Sequence, residues 1–327
     1  MTTIKDVAKE AGLAVGTVSR VLNNRGYISD QTREKVYKAM EKLNYQPNEV
    51  ARALSRQKST LIGVIVPLVN HPYFSNSIDN IERTAIEYGY NIILLNSDGL
   101  AEKEYDYLEF CRRNHVAGII IYYGSLDGSK FSDIGIPIIS IERHMQECTA
   151  NIECDNIGGG RLGAQHLIDQ GCSHLLFING FVDQDDTSGH RRQGFEEACQ
   201  AAGVSYDIVE LVQSDYRVPE NLSEIEKIID SEDIDGVFSS SDMIAARVYR
   251  LLKEKGYRVP EEVKLVGFDD SNVAEFMVPG LTSVHQPVDK MAQLAVNYII
   301  DIQNDRVVPK RSILPVSLTV RESTENY

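Results

Sequence analysis

Arg20 is the one long charged side chain on the short segment Val15-Gly16-Thr17-Val18-Ser19-Arg20, whose outward face is made of Val15, Gly16, Thr17, Ser19 and Arg20. A guanidinium there can grip a guanine edge through two parallel hydrogen bonds, while the hydroxyls of Thr17 and Ser19 can hold phosphates. A second group of candidates lies just past apolar runs further along the chain: Tyr73 and Phe74, Glu142 and Arg143, Arg191, Tyr216, Asp242 and Asp269. His71 and Tyr122 stand in similar places. Carboxylates and arginine hold sugar hydroxyls in paired hydrogen bonds, and aromatic rings cover the apolar face of a sugar. Taken singly, each of these is an ordinary loop polar group. Their recurrence at one edge of a sheet is what marks them as a ligand set.

The first group needs a helix-turn-helix to present it. Ile4, Val7 and Ala8 recur at helical spacing, Ala11-Gly12-Leu13 breaks the pattern, and Val15, Val18, Val21 and Leu22 resume it. Gly12 allows the reversal, and Thr3 or Thr2 caps the first helix with Asp6 near its positive end. A third helix is expected from about Ser29 to Leu43, capped by Ser29, with Val36, Ala39, Met40 and Leu43 as its apolar stripe. On pattern alone this is either a DNA-binding headpiece or a plain helical hairpin opening a larger domain. After Pro47, Asn48 can cap a helix through Arg56, but about eight residues make a helix too short to persist alone in water.

The second group needs parallel sheets. Strand candidates are 61–66, 91–95, 116–122, 137–141, 174–178, 208–212, 236–239 and 264–268, separated by helical patterns at 78–88, 102–113, 158–170, 189–202, 242–255 and 288–302. This alternation implies an α/β fold with two Rossmann-like lobes whose ligands sit beyond the carboxyl ends of the strands.

Of 327 residues, 43% are hydrophobic, enough for a large core divided among two or three domains. No apolar run can span a bilayer and no basic-then-apolar leader is present, so a cytoplasmic protein without a membrane partner is expected. The cysteines, Cys111, Cys148, Cys154, Cys172 and Cys199, are odd in number and form no C-x-x-C pair, which favours reduced structural thiols over disulfides or zinc. The net charge of −15 is unevenly spread: residues 1 to 58 hold 11 Lys or Arg against 6 Asp or Glu, and the remainder 22 against 42. Any phosphate-binding surface therefore belongs to the N-terminus.

The stretch Thr3–Asn23 resembles the headpiece of the lactose-repressor (LacI/GalR) family, which begins T-I-x-D-V-A-x-x-A-G-V-S-x-x-T-V-S-R-V-L-N; Leu13 and Ala14 replace the usual Val-Ser. The resemblance implies an all-α headpiece (1–46), a hinge helix (47–59) that forms when two chains lie side by side on DNA, and a core (60–327) of periplasmic-binding-protein type. Its N-lobe is placed at about 60–155 and 287–314, its C-lobe at about 156–286 and 315–327, with crossovers near Asp155, Gln286 and Pro315. It also implies that Asn23, Tyr27, Ser29 and Thr32 hold the DNA backbone and that Leu54 is wedged into the minor groove, kinking the duplex. Tyr73 and Phe74 match the family's aromatic motif, Glu142-Arg143 stands where sugar-binding members often have Asp-Arg, Arg191 precedes a Gly-Phe by three residues, and Asp242 and Asp269 fall in S/N-D-x-[ML]-A and G-[FY]-D. Short matches at Asn23–Tyr27 and Pro137–Ser140 are similar to sucrose-operon repressors.

Gly158-Gly159-Gly160-Arg161-Leu162-Gly163 fits G-x-G-x-x-G, but no strand ends at its first glycine, so it reads as a helix start rather than a dinucleotide site. Ser188, His190 and Asp186 cluster locally, which does not make a triad. With no catalytic motif, metal site or cofactor legible, the chain is expected to be a non-enzymatic, homodimeric repressor. It would bind a palindromic operator and be released by a sugar or sugar phosphate. Alternatives left open are a co-repressed regulator, control by a phosphocarrier protein, and a sugar-transport binding protein. No heptad tail follows Val316-Ser317-Leu318, so no C-terminal coiled coil is expected.

Overall fold

The computed structural model describes residues 2–22, 26–45, 59–122, 126–180, 187–211, 222–231 and 233–325. The chain divides into two compact units, Met1–Thr60 and Leu61–Tyr327.

In the first unit, α1 (Ile4–Ala11), α2 (Val15–Leu22) and α3 (Asp30–Lys42) form the helix-turn-helix and its brace. Asp6 accepts from both the backbone N–H and the hydroxyl of Thr3, at 2.8 and 2.7 Å, closing the first turn of α1. Gly12, at φ +65°, ends α1 in the left-handed region that a side chain would resist. Ser29 caps α3 by accepting from the Thr32 N–H. Val7, Ala8, Val18, Val21, Val36 and Ala39 make a small closed core, and Lys42 reaches Glu10 across α1 and α3 at 2.7 Å.

The second unit holds two six-stranded sheets. The first runs β11-β5-β4-β3-β1-β2, from β1 (Leu61–Val66), β2 (Asn91–Asn96), β3 (Gly118–Ile121), β4 (Ile138–Ile141), β5 (Ala150–Cys154) and β11 (Arg311–Leu314). The second runs β12-β10-β9-β8-β6-β7, from β6 (His174–Asn179), β7 (Ser205–Glu210), β8 (Gly236–Ser239), β9 (Lys264–Asp269), β10 (Thr282–His285) and β12 (Ser317–Thr319). All pairings are parallel except β10 with β12. Helices α4 (Pro72–Glu87), α5 (Ala101–Arg113), α6 (Asn156–Asp169), α7 (Thr187–Ala202), α8 (Leu222–Ser231), α9 (Asp242–Glu254), α10 (Asn272–Phe276) and α11 (Val288–Gln303) accompany them. The chain passes between the sheets after β5, after β10 and between β11 and β12.

Eight strands were expected and twelve are present among the described residues. β5 is masked in the sequence by Asn151 and Glu153, which are buried but satisfied: Asn151 accepts from Ser140 and Met145, and Glu153 is clasped by Arg311. β7 begins earlier than its apolar residues because it lies at a sheet edge, where Ser205 and Asp207 cost little. α4 also starts earlier, at a proline that needs no hydrogen-bond acceptor for an N–H it lacks.

The glycine-rich run is a packing device. A Cβ on Gly160 would collide with the backbone carbonyl of Arg191, one on Gly194 with that of Ile157, and those on Gly159 and Gly163 with the rings of Phe268 and Phe238. Small residues thus let α6 and α7 touch backbone to backbone and let α6 lie close on the second sheet. Since backbone cannot move aside as a side-chain tip can, Gly160→Ala should destabilise the protein by about 2 kcal/mol or more, read as a lowered urea midpoint; an unchanged midpoint would show that the two helices separate freely.

Candidate functional site

The polar centre of the second unit is Arg191, in the second turn of α7. Its guanidinium is buried and every nitrogen has a partner: Nε donates to Asn156 Oδ1 at 2.8 Å, Nη1 to the Ser240 carbonyl at 2.7 Å and Nη2 to Glu142 Oε2 at 3.3 Å. Asp269 Oδ1 lies 3.8 Å from Nη1, and the cation stacks 3.7 Å over the Phe268 ring. Glu142 directly follows β4 of the first sheet, whereas Arg191 on α7, Ser240 just after β8 and Asp269 at the end of β9 accompany the second, so an ion pair links the two.

Glu142 sits at φ +57°; its Oε1 accepts from the Cys154 N–H at 2.6 Å, and its Oε2 also accepts from Asn156 Nδ2 at 3.1 Å. Asp269, at φ +118°, accepts from the Gln286 side chain at 2.7 Å. Two strained non-glycine residues at the carboxyl ends of strands fit a site where geometry is set by function. Burial pushes both carboxyls up, Asp269 well above the usual carboxylate range, with Arg191 opposing the shift in each. Burial works against the Arg191 charge, but Asp269, Cys154 and Glu142 outweigh it and its pKa is raised.

Tyr73, Phe74 and Tyr122 form an edge-to-face triangle with ring centroids 5.3, 5.5 and 6.2 Å apart, and His71 leans on Phe74 at 5.3 Å. Tyr122 bonds Ser77, but the buried Tyr73 hydroxyl has no partner among the described residues. Gln286 Oε1, both polar atoms of Asn179, Ser239 Oγ and Arg143 Nη1 are likewise buried and unpaired. Unsatisfied buried polar atoms are rare enough that each calls for an explanation.

The remaining candidates divide. Asp242 is no open ligand group: its carboxylate accepts from the Ser271 N–H and hydroxyl and from Ser283, at 2.7, 2.9 and 2.5 Å, anchoring α9 to β10 and the loop after β9. Burial raises its pKa to about 6. His71 caps α4 by accepting from the Tyr73 N–H, and burial holds its pKa down to about 4. Arg143 donates to the Leu126 carbonyl. Tyr216 lies outside the described residues. Asn156, Gln286, Asn179 and Ser239 were missed as site residues; Asn179 and Ser239 end apolar runs, and reading the last strand residue as well as the next would have found them.

On the first unit, Val15, Gly16, Arg20, Tyr27 and Ser29 are exposed and Thr17, Ser19 and Thr32 partly so. Tyr27 is 99% exposed, with no packing role. A Cβ at Gly16 would meet open space, so this surface is narrow by composition rather than by crowding. Asn23 and Leu54 fall outside the described residues.

Residues 3–48 match the pattern of bacterial regulatory proteins of the lacI family, and residues 164–324 that of the periplasmic binding protein-like domain. The ribose operon repressor of Halalkalibacterium halodurans is 34% identical over 99% of this chain and 98% of its own length. The sucrose operon repressor of Streptococcus mutans serotype c is 34% identical over 98% of each. The chain belongs to the lacI family. Among solved structures, the lac repressor dimer bound to operator and the anti-inducer ONPF aligns with a TM-score of 0.86 at 25% identity, covering 99% of both chains. This lacI-family chain is accordingly a DNA-binding transcription regulator with the helix-turn-helix and paired α/β sheets of its relatives. None of its helices, among the described residues, is long and apolar enough to cross a membrane.

Beside the cluster, Asp270 accepts from His285, Arg321 and Thr319 at 3.0, 2.7 and 2.8 Å, tying the ends of β9 and β10 to β12. Burial alone would raise its pKa; these three partners instead bring it from an ordinary 3.8 down to about 2. A depressed carboxylate contributes stability above its unfolded pKa and loses it as pH falls through the folded one. The stability gap between the native protein and Asp270→Asn should therefore be about 1 kcal/mol at pH 5, allowing for partial solvent screening, and close by pH 2. Urea unfolding across that range measures it, and a gap constant with pH would contradict the network.

Proposed function

We propose that the chain is a homodimeric repressor of a carbohydrate-utilisation operon, displaced from a palindromic operator by a sugar held at Glu142, Arg191, Asp269, Tyr73 and Gln286. The observation that carries this reading is the Arg191–Glu142 ion pair between the two sheets, with two polar atoms unpaired among the described residues beside it, Tyr73 Oη and, on the Gln286 that bonds Asp269, Oε1. Sugar hydroxyls donate to carboxylates and accept from amides and guanidinium, so one ligand can satisfy groups from both sheets at once. A ligand that binds one arrangement of the sheets better than another shifts the population toward it, and operator affinity changes by the same factor. Relatives named for ribose and sucrose operons support the carbohydrate reading, and the lac repressor dimer on its operator supports the dimer.

On the DNA side, Arg20 is the exposed long donor of α2, with Val15, Gly16, Thr17 and Ser19 around it and Tyr27, Ser29 and Thr32 placed for the backbone. Asn23 and the Leu54 wedge complete the set. The sign of the coupling is tested by fluorescence anisotropy on an operator selected from random DNA, titrated with a sugar panel. Release by one sugar supports the inducer reading; a ligand that tightens the complex makes the chain co-repressed. On the same operator, Arg20→Ala should cost about 1–3 kcal/mol and relax base preference at one position, whereas equal losses on random DNA would reduce Arg20 to a phosphate contact.

A further inference from the structure

We infer that Asp242 is a positioning residue for the effector: without touching the ligand, it sets where the Asp269 carboxylate stands by holding the two peptide N–H groups that follow it. This rests on the reading of Asp269 as a ligand group given above. β9 does not end in relaxed backbone. Asp269 sits at φ +118° and Asp270 at φ +54°, two consecutive residues with side chains in the region that favours glycine. Such conformations persist only where the surroundings over-determine them. Here the over-determining group is one carboxylate. The Ser271 N–H donates to Asp242 Oδ2 at 2.7 Å, and the Ser271 hydroxyl to the same oxygen at 2.9 Å. The Asp270 N–H donates to Ser283 Oγ at 3.0 Å, and that hydroxyl donates in turn to Asp242 Oδ1 at 2.5 Å. Both amides past Asp269 therefore lead to Asp242, one directly and one through a single hydroxyl.

The second sheet is shaped to admit this carboxylate. Gly267 lies opposite Ser283 in the β9–β10 register, and a Cβ on Gly267 would strike Asp242 Oδ1. Asp242 is also the first residue of α9, where the helix dipole favours a negative charge. No attraction between opposite charges accounts for its place: it is fully buried, the groups bonded to it are neutral, and the charges nearby, Asp269 and Asp270, are carboxylates. A carboxylate so placed is costly to bury, and what it supplies is two acceptor oxygens that receive Ser271 and Ser283 on separate atoms. Bonds to an ionised acceptor are also the stronger kind. The backbone past Asp269 is thus fixed by Asp242, while the Asp269 side chain is fixed by Gln286, which donates to Oδ1 at 2.7 Å. Two independent tethers aim this carboxylate at the guanidinium of Arg191, 3.8 Å away.

The test compares Asp242→Ala, Ser283→Ala and Asp269→Asn in the full-length protein. Val248→Ala, a buried change on α9 outside the polar cluster, is the control for lost stability. Hydrogen exchange read by mass spectrometry with fragmentation should show the Asp270 and Ser271 amides at least about tenfold faster in Asp242→Ala, beyond any change within β9 itself. Ser283→Ala, which leaves the Asp242 charge in place, should release the Asp270 amide. Calorimetric titration uses D-ribose and sucrose as probes. Whichever sugar the native protein binds should bind Asp242→Ala about tenfold or more weakly and Ser283→Ala less weakly than that. Val248→Ala should lower the urea midpoint and leave the sugar affinity unchanged. Asp242→Ala combined with Asp269→Asn should bind no more weakly than Asp269→Asn alone, because one residue acts through the other. Native exchange rates at both amides in Asp242→Ala overturn the inference, as do additive losses in the double variant or an equal loss in Val248→Ala. Native sugar affinity in Asp242→Ala overturns it too and leaves the sugar-sensing reading standing. If neither sugar binds the native protein, it is that reading which falls, and the exchange rates still decide whether Asp242 sets the bend at Asp269.

Discussion

A charged guanidinium buried in the body of this protein is the constraint to which the neighbouring structure answers. Burying an ion is tolerable when its nitrogens are bonded and a counter-charge is near, and each nitrogen of Arg191 has a partner in Asn156, Ser240 or Glu142, with Asp269 3.8 Å away. Those partners come from the ends of β4, β8 and β9 and the start of α6, so the ion pair can form only when the two sheets present their carboxyl ends to one another. Gly160 belongs to the same requirement. It lets α6 lie against the backbone of Arg191 itself, fixing where the guanidinium begins.

The helical headpiece answers to a different constraint, size. Its closed core is built from valines and alanines of three short helices, so local devices carry weight: the Thr3–Asp6 closure, the left-handed Gly12 and the Ser29 cap. Positive charge is gathered at this end of the chain while the rest is acidic, which directs DNA to the headpiece.

Much of this was legible in the sequence, and the rest was hidden for identifiable reasons. The apolar runs at Leu61–Val66 and Gly236–Ser239 are strands with the expected bounds because buried central strands are continuous in valine, isoleucine and phenylalanine. β5 was hidden because hydrogen bonds satisfy Asn151 and Glu153 in the fold, which makes polar residues behave as interior ones. Glu142 and Asp269 could be picked out as residues just past apolar runs, and Arg191 as the arginine after a polar loop. Asp242 could be picked out in the same pass, yet Ser271 and Ser283, 29 and 41 residues further on, absorb its carboxylate, pairings that spacing does not reveal. Asn156 and Gln286 looked like plain connection residues. Their role appears only when the chain crossings bring them against Glu142 and Asp269.

The account stands on the Glu142–Arg191 pair as the element through which effector and operator sense one another. A double-mutant cycle on the coupling factor, the ratio of operator affinity without and with saturating effector, tests it directly using Glu142→Gln, Arg191→Gln and the double variant. The account predicts that each single change removes most of the coupling and that the double change removes little more. Independent, additive losses, or coupling retained in either single variant, would contradict it.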